Sequence, residues 1–162
     1  MSTDRVHVRW TGHRQMVGWD AAGHAIVIDA PESSKGEGTG ARPLEVFLQA
    51  LAACTAMDVV SVLEKKRQPF TALEIEVCAQ QREDEYPRIY TDIELVYVVR
   101  GEGVAPQALE RAIELSEGKY CSVRGMLGPQ VRVATSFRIE ASEGRTAQTG
   151  TVHLGDERTA MP

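Results

Sequence analysis

The chain has 162 residues, with 18 lysine and arginine residues against 23 aspartate and glutamate residues and a formal net charge of −5. This length predicts one domain, or two small lobes that share a core. The acidic balance argues against nucleic acid and against anionic membranes as partners, because both bind concentrated positive charge. The beginning of the chain, MSTDRVHVRW, is polar and charged, so we expect no secretory signal and a cytoplasmic location.

The first part of the sequence predicts a short antiparallel β meander. Its three strands are predicted over residues 5–11, 15–19 and 24–29. In the first strand, apolar and polar residues alternate, which places Val6, Val8 and Trp10 on one face. The following segment, residues 31–42, is rich in glycine, serine and charge, and we expect it to form a loop.

The longest apolar segment of the chain predicts a central helix over residues 43–67. It begins with Pro43, and proline fits the first turn of a helix, where its missing N–H has no partner in any case. One helical face is predicted from the spacing of Leu44, Phe47, Leu48, Leu51, Thr55, Val59 and Val62. Cys54 lies near the middle, among small alanine residues, and Glu45 is expected to support the first turn. Because charged residues interrupt the segment, we predict a helix of a soluble protein rather than a membrane span.

The second half of the sequence predicts strands at residues 73–78 and 89–99, helices from Pro106 and over residues 121–127, and a strand at residues 131–140. The predicted order, βββ-α-ββ-αα-β, is typical of an α+β fold rather than of a doubly wound sheet. Residues 141–162 contain little that a core could bury. We therefore predict a mobile C-terminal tail there and a single domain over residues 1–140.

The three cysteines, Cys54, Cys78 and Cys121, form an odd set in a chain for which we expect no export. This is typical of a reducing compartment, where paired cysteines are more often catalytic or redox-sensing than structural. The sequence has no C-x-x-C pair, and its four histidines are scattered. We therefore expect no zinc site, no other metal and no cofactor.

Two explanations of the cysteines stay open at this point. Cys54 lies within a helix and needs a nearby cation for activation, whereas Cys121 lies at a predicted helix start, where N–H groups favour the thiolate. If one cysteine attacks a peroxide and the other resolves the sulfenic acid as a disulfide, the chain is a thiol peroxidase. Alternatively, the cysteines only fill the core, because free cysteine is commonly buried. Cys78, on the polar face of its strand, is interpreted as a bystander.

Two separate segments surround the cysteines: GTGARPLEVFLQALAACTAMDVV contains Cys54, and EGKYCSVRGML contains Cys121. Together with the order of the predicted elements, these segments resemble the OsmC/Ohr-like family, and most closely its short YhfA-like branch. The resemblance covers residues 5 to about 140. It implies an OsmC-like α+β fold that forms an intertwined homodimer, with the active sites at the subunit interface.

The resemblance further implies a thiol-dependent peroxidase of the stress response, which reduces organic hydroperoxides, and hydrogen peroxide less well, at the expense of a thiol or dithiol reductant. Cys54 matches the peroxidatic position and Cys121 matches the resolving position. Active members carry a glutamate directly after the helix-opening proline, and this glutamate holds an activating arginine. Here Leu44 occupies that position. Arg14 is the candidate arginine, and Arg5, Arg9 and Arg42 are also available in this part of the sequence. The alternative is a redox-responsive or small-ligand-binding dimer of the same fold, with little or no peroxidase turnover.

Overall fold

The computed structural model describes residues 3–141 and 146–154. The chain divides into two compact units between Gln49 and Ala50. The first unit holds a three-stranded sheet, and the second holds a four-stranded sheet. This mixture of helices and sheets confirms the predicted α+β fold class. The single domain over residues 1–140 stays a prediction.

The first sheet is antiparallel and contains strands β1 (Val6–Gly12), β2 (Gln15–Asp20) and β3 (Ala25–Ile28), in that order. The predicted meander is confirmed. Val6, Val8 and Trp10 lie on one face of β1, as the alternation predicted, and they are 72%, 63% and 65% exposed in this chain. On the opposite face of the sheet, the ring of His7 stacks on Trp19 with 5.3 Å between the ring centroids.

Asp29 organises the loop that follows β3. Its carboxylate accepts hydrogen bonds from the backbone N–H groups of Ala30 at 2.7 Å, Glu37 at 3.2 Å and Thr39 at 3.1 Å, and from the Thr39 hydroxyl at 2.8 Å. These bonds, led by the one from the Thr39 N–H, lower the pKa of Asp29 to about 2. The sequence predicted this loop, and a single buried carboxylate holds it in place.

Helix α1 spans Pro43–Lys65 and ends two residues earlier than predicted. Glu45 caps its first turn, because its carboxylate accepts hydrogen bonds from the backbone N–H of Arg42 at 2.8 Å and from the Arg42 guanidinium at 2.6 and 2.8 Å. An acidic side chain that reaches back to the residue before the helix forms one half of a capping box. The expected role of Glu45 in the first turn is therefore confirmed.

Within the second unit, α1 buries one stripe of side chains: Leu51, Thr55, Val59 and Leu63. Three of these belong to the predicted face, but Leu63 is buried in place of Val62, which is partly exposed. The difference follows from helix geometry, because residues four apart lie above one another and the stripe from Val59 continues to Leu63. Thr55 is a polar residue inside this apolar stripe.

The second sheet contains strands β4 (Ala72–Gln81), β5 (Tyr90–Arg100), β6 (Arg132–Glu140) and β7 (Thr146–Val152), in that order. Strands β5 and β6 are parallel, and the other neighbours are antiparallel. Helices α2 (Pro106–Leu115) and α3 (Ser122–Gly125) connect β5 to β6. A parallel pair requires such a crossover, and this crossover carries Cys121.

The structure corrects the predicted mobile tail in part. Thr146–Val152 forms strand β7, which pairs with β6 and ends on a buried Val152. The segment has few apolar residues, and at Gly150 it packs through its main chain: a Cβ atom there would lie only 2.5 Å from the ring of Phe137. Composition alone therefore gave no signal for this strand. Residues 142–145 and 155–162 lie outside the described residues.

Candidate functional site

Three reactive side chains of the second unit meet at one place. Cys54 and Asp58 lie four residues apart on α1, so the helix presents them on the same face, and Cys121 joins them from the crossover. The two sulfur atoms and a carboxylate oxygen of Asp58 all lie within 4.8 Å of one another. The predicted pair of Cys54 and Cys121 is thus brought together, along with a carboxylate for which the sequence predicted no role at the site.

A wide turn positions Cys121. Helix α2 continues into a π-helical turn, Ser116–Tyr120, which buries Ser116 and Glu117. Cys121 then adopts an extended conformation as the N-cap of α3, and its sulfur accepts a hydrogen bond from the backbone N–H of Arg124 at 3.3 Å. Sequence reasoning predicted one helix over residues 121–127 with Cys121 inside its first turn. The π-helical turn, a feature often found at functional sites, has no periodicity that would have revealed it.

The surroundings of Cys121 disfavour its thiolate. Burial raises the pKa of Cys121 to about 12, and its hydrogen bond with Cys54 acts in the same direction. The N–H of Arg124 lowers the pKa, but the electrostatic interactions with Cys54 and Asp58 raise it further. The expectation that the helix start favours a Cys121 thiolate is therefore wrong in its net effect, because one N–H group does not compensate for burial and these neighbours.

The three cysteines differ in their access to solvent. Cys121 is buried, Cys54 is partly exposed, and Cys78 is exposed. A small oxidant therefore reaches Cys54 more readily than Cys121. Cys78 lies on β4, and it does not belong to the group of side chains that meets at Asp58.

A chain of buried polar groups extends from Asp58 into the core. The hydroxyl of Ser116 donates to a carboxylate oxygen of Asp58 at 2.9 Å and lies 2.8 Å from the hydroxyl of Thr55. Thr55 in turn lies 2.5 Å from the phenol oxygen of Tyr97, and the phenol donates to Glu117 at 2.9 Å. Burial and the charge of Glu117 raise the pKa of Tyr97 well above its usual range, so the phenol keeps this proton.

The chain of polar groups ends at the carboxylate of Glu117, whose side chain is fully buried. The hydroxyl of Thr135 donates to its two oxygens at 2.9 and 3.0 Å, and Nε of Arg124 lies 3.8 Å from one of them. A buried carboxylate requires such partners. Since the backbone N–H of Arg124 binds the sulfur of Cys121, the buried carboxylate and the buried thiol are held by the same residue.

Sequence reasoning missed most of this polar chain. Thr55 and Tyr97 each occupy a position where an apolar side chain would continue the buried pattern of α1 or β5. Polar groups at such positions are usually hydrogen-bonded to one another, and this was the one available signal. Glu117 and Ser116 carried no signal, because the π-helical turn that buries them was not predicted.

The first unit contains the other predicted site residues. Arg14 is exposed in the turn between β1 and β2, and its role as the activating arginine stays a prediction. Leu44 follows Pro43 in the first turn of α1 and is 38% exposed. Glu45 binds Arg42 at the helix start.

The arrangement allows two kinds of chemistry. Two thiols at this separation can form a disulfide after a small movement of their side chains, because the S–S bond is about 2 Å long. Two sulfurs and a carboxylate oxygen are also ligand types for thiophilic cations. Cys54, Asp58 and Cys121 are the residues that would hold such an ion.

Comparison with known proteins places these observations in a family. Residues 36–136 match the family model described as OsmC-like protein. The chain is 36% identical to the protein YhfA of Escherichia coli strain K12 over 138 residues, which are 85% of this chain and 99% of that protein. It is 31% identical to the crystal structure of a hypothetical protein from Aquifex aeolicus VF5, with a TM-score of 0.77 over 88% of this chain and 100% of the other.

A more distant structure shares the fold. An organic hydroperoxide resistance protein OsmC from Legionella pneumophila has a TM-score of 0.63 and 14% identity over 85% of this chain and 97% of its own.

Helix α1 is the one described helix that is long and apolar enough to cross a membrane. In this setting it is a helix of a soluble fold. The family model matches more than half of the chain, including Cys54 and Cys121, and the identity to YhfA is 36% over 85% of the chain, so the chain belongs to the OsmC-like protein family.

Proposed function

We propose that the chain is a thiol-dependent peroxidase of the stress response, which reduces organic hydroperoxides, and hydrogen peroxide less well, through Cys54 and Cys121. The observation that carries this proposal is the approach of the two sulfur atoms, from distant segments of the sequence, to within 4.8 Å. The substrate class is supported by the fold shared with the Legionella protein, which is described as an organic hydroperoxide resistance protein.

The two cysteines take different roles in the proposed reaction. Cys54 is partly exposed and attacks the peroxide as a thiolate. The O–O bond breaks, an alcohol leaves after it takes up a proton, and Cys54 becomes a sulfenic acid. The thiol of Cys121 then attacks the sulfur of Cys54, so that a disulfide forms and water leaves. A thiol or dithiol reductant restores both thiols by exchange.

Burial of Cys121 suits the resolving role. A resolving cysteine has to meet the sulfenic acid and not the peroxide, and Cys121 is 5% exposed and lies against Cys54. Its hydrogen bond from Arg124 and the pairing of Arg124 with Glu117 hold the sulfur in place. Such positioning favours disulfide formation over further oxidation of Cys54.

We also propose that the protein is a homodimer. The exposed side chains of Val6, Val8 and Trp10 form an apolar row on β1, which is an edge strand of its sheet. An edge strand offers unpaired backbone groups to another chain, and an exposed apolar row on the face of the sheet is typical of an interaction surface. On α1, Met57 is 67% exposed. Only 22% of the most apolar stretch of this helix is buried within one chain, so most of the stretch is left uncovered. A second copy of the chain would cover these surfaces.

The peroxidase proposal is tested by mixing reduced protein with cumene hydroperoxide and with hydrogen peroxide and following the loss of free thiols. We expect fast thiol oxidation in the native protein and in Cys78→Ser, and this oxidation should be faster with the organic peroxide than with hydrogen peroxide. Cys54→Ser should show no fast oxidation. In Cys121→Ser, Cys54 should proceed to sulfinic acid. Oxidation no faster than that of free cysteine in all of these proteins would reject the proposal.

A second function is favoured by the first turn of α1. Leu44 stands where active relatives carry a glutamate, and the adjacent Glu45 is engaged with Arg42. The alternative is a redox-responsive or small-ligand-binding dimer with little peroxidase turnover. In that case the disulfide would form once, but a dithiol reductant would not sustain continuous consumption of peroxide. Steady-state turnover with dithiothreitol distinguishes the two functions.

A further inference from the structure

A carboxylate lies beside the two thiols of the site. A carboxylate oxygen of Asp58 lies within 4.8 Å of both sulfur atoms. A negative neighbour opposes the ionisation of a thiol, whereas a positive one assists it. A divalent cation, in contrast, would be attracted by all three groups at once.

The three atoms are also close to the spacing that a metal ion needs. Around a tetrahedral zinc ion with Zn–S bonds of about 2.3 Å, neighbouring ligand atoms lie about 3.8 Å apart. The ligand atoms of Cys54, Asp58 and Cys121 lie within 4.8 Å of one another without any ion between them. A side-chain movement of about 1 Å or less per ligand is enough to close this difference.

We propose that the reduced protein binds one zinc ion, or another thiophilic divalent cation, through the sulfurs of Cys54 and Cys121 and a carboxylate oxygen of Asp58. The fourth position of the tetrahedron is open to water or to an exogenous ligand, as in zinc sites with three protein ligands. Two thiolates and one carboxylate carry three negative charges, of which the ion neutralises two. The thiol protons leave when the ion binds.

The residues around the three ligands already hold them in place. Ser116 donates a hydrogen bond to one carboxylate oxygen of Asp58 at 2.9 Å, and the backbone N–H of Arg124 donates to the sulfur of Cys121 at 3.3 Å. Metal sites commonly carry such outer hydrogen bonds, which orient the ligands. Within one chain, Cys54 and Asp58 are partly exposed on α1, whereas Cys121 is buried.

Sequence reasoning excluded zinc because the chain lacks a C-x-x-C pair and clustered histidines. That search does not detect the proposed ligands, because Cys54 and Asp58 share one helical face and Cys121 comes from a crossover far along the chain. The proposal uses the same cysteines as the proposed peroxidase but does not rest on peroxide turnover. Metal binding and the disulfide exclude each other, since a disulfide offers no thiolate to the ion.

The experiment is a titration of the fully reduced, metal-free chain with cobalt(II), a coloured substitute for zinc, followed by displacement with zinc. We expect one equivalent to bind with thiolate-to-cobalt absorption in the native protein and in Cys78→Ser. The absorption should be lost in Cys54→Ser and in Cys121→Ser. Asp58→Asn should weaken binding more than tenfold, and Ser116→Ala about tenfold.

A folded control without metal ligands comes from the native chain itself. Oxidation with diamide joins the two cysteines without peroxide, and this disulfide form should bind no cobalt while its circular dichroism stays that of a folded protein. Absence of saturable binding in the reduced chain would overturn the proposal. Binding that survives diamide oxidation, or that persists unchanged in Asp58→Asn, would overturn it as well. A chain that binds cobalt but turns over no peroxide would reject only the peroxidase.

Discussion

The two cysteines of the site differ most clearly in what surrounds each sulfur. Cys54 is partly exposed on a helix, whereas Cys121 is buried and its sulfur accepts a hydrogen bond from a backbone N–H. The sequence placed both cysteines at family positions, and the structure adds the difference between them. A reagent from solution should therefore meet Cys54 first, and Cys121 should react with what Cys54 becomes.

Glu117 is linked to Cys121 through Arg124, whose backbone N–H donates a hydrogen bond to the sulfur. Its buried carboxylate lies 3.8 Å from Nε of Arg124 and accepts hydrogen bonds from Tyr97 and Thr135. Removal of one charged partner from a buried pair typically costs several kcal/mol. We expect Glu117→Gln to lower the free energy of unfolding by about 3 kcal/mol in urea titrations.

A matched control for this change lies about one helical turn earlier, at the end of α2. Glu114 pairs with Arg111 at 2.8 Å, but both side chains are accessible to solvent. Because exposed ion pairs contribute little, Glu114→Gln should change the free energy of unfolding by less than about 1 kcal/mol. Equal effects of the two substitutions would show that the buried carboxylate has no special role in stability.

The loop between β3 and α1 shows how one residue orders an element. Asp29 accepts four hydrogen bonds from Ala30, Glu37 and Thr39, and they lower its pKa to about 2. An unfolded aspartate titrates near pH 4. A carboxyl group whose pKa is lower in the folded state stabilises the fold above pH 4, and this contribution is lost as the pH falls through about 2.

We therefore expect the stability difference between the native protein and Asp29→Asn to depend on pH. The native protein should be more stable above pH 5, and the difference should shrink progressively between pH 4 and pH 2. Denaturant unfolding at a series of pH values measures it, with the exposed Asp84→Asn as the control. A difference that is constant across this range would contradict the assignment of the stabilisation to the charged carboxylate.

The elements that could be predicted from the sequence are those with strong periodicity. The apolar spacing of α1 and the alternation of Val6, Val8 and Trp10 gave correct elements. Strand β7 could not be predicted, because its partner contact is the ring of Phe137 over Gly150, which leaves no apolar pattern. The π-helical turn before Cys121 could not be predicted either, because no residue preference or apolar spacing in the sequence identifies such a turn.

The site itself was predictable only in part. The resemblance to the family picked out Cys54 and Cys121, but spacing alone does not reveal that they approach within 4.8 Å. Asp58 could be placed on the same helical face as Cys54 from the sequence. Its proximity to Cys121 depends on the crossover, and this is a long-range contact that one sequence does not encode in any local pattern.

The exposed apolar row of β1 is the surface through which we expect two chains to form a dimer. We expect two chains per particle in light scattering after size exclusion. Val8→Glu places a charge in the row and should shift the particle toward the monomer, because burying that charge without a partner is costly. His7→Glu, one position away on the opposite face, should leave the dimer intact. A monomeric native protein would reject the proposed dimer.

The proposed peroxidase depends on Cys54 and Cys121 acting as a redox pair. The most direct test is to treat the reduced Cys78→Ser variant with one equivalent of cumene hydroperoxide. The products are then mapped by mass spectrometry of peptides prepared without reduction. We predict a peptide pair joined by a Cys54–Cys121 disulfide as the main product. Sulfinic acid on Cys54 with Cys121 still a free thiol, or no oxidation of either residue, would contradict the proposal.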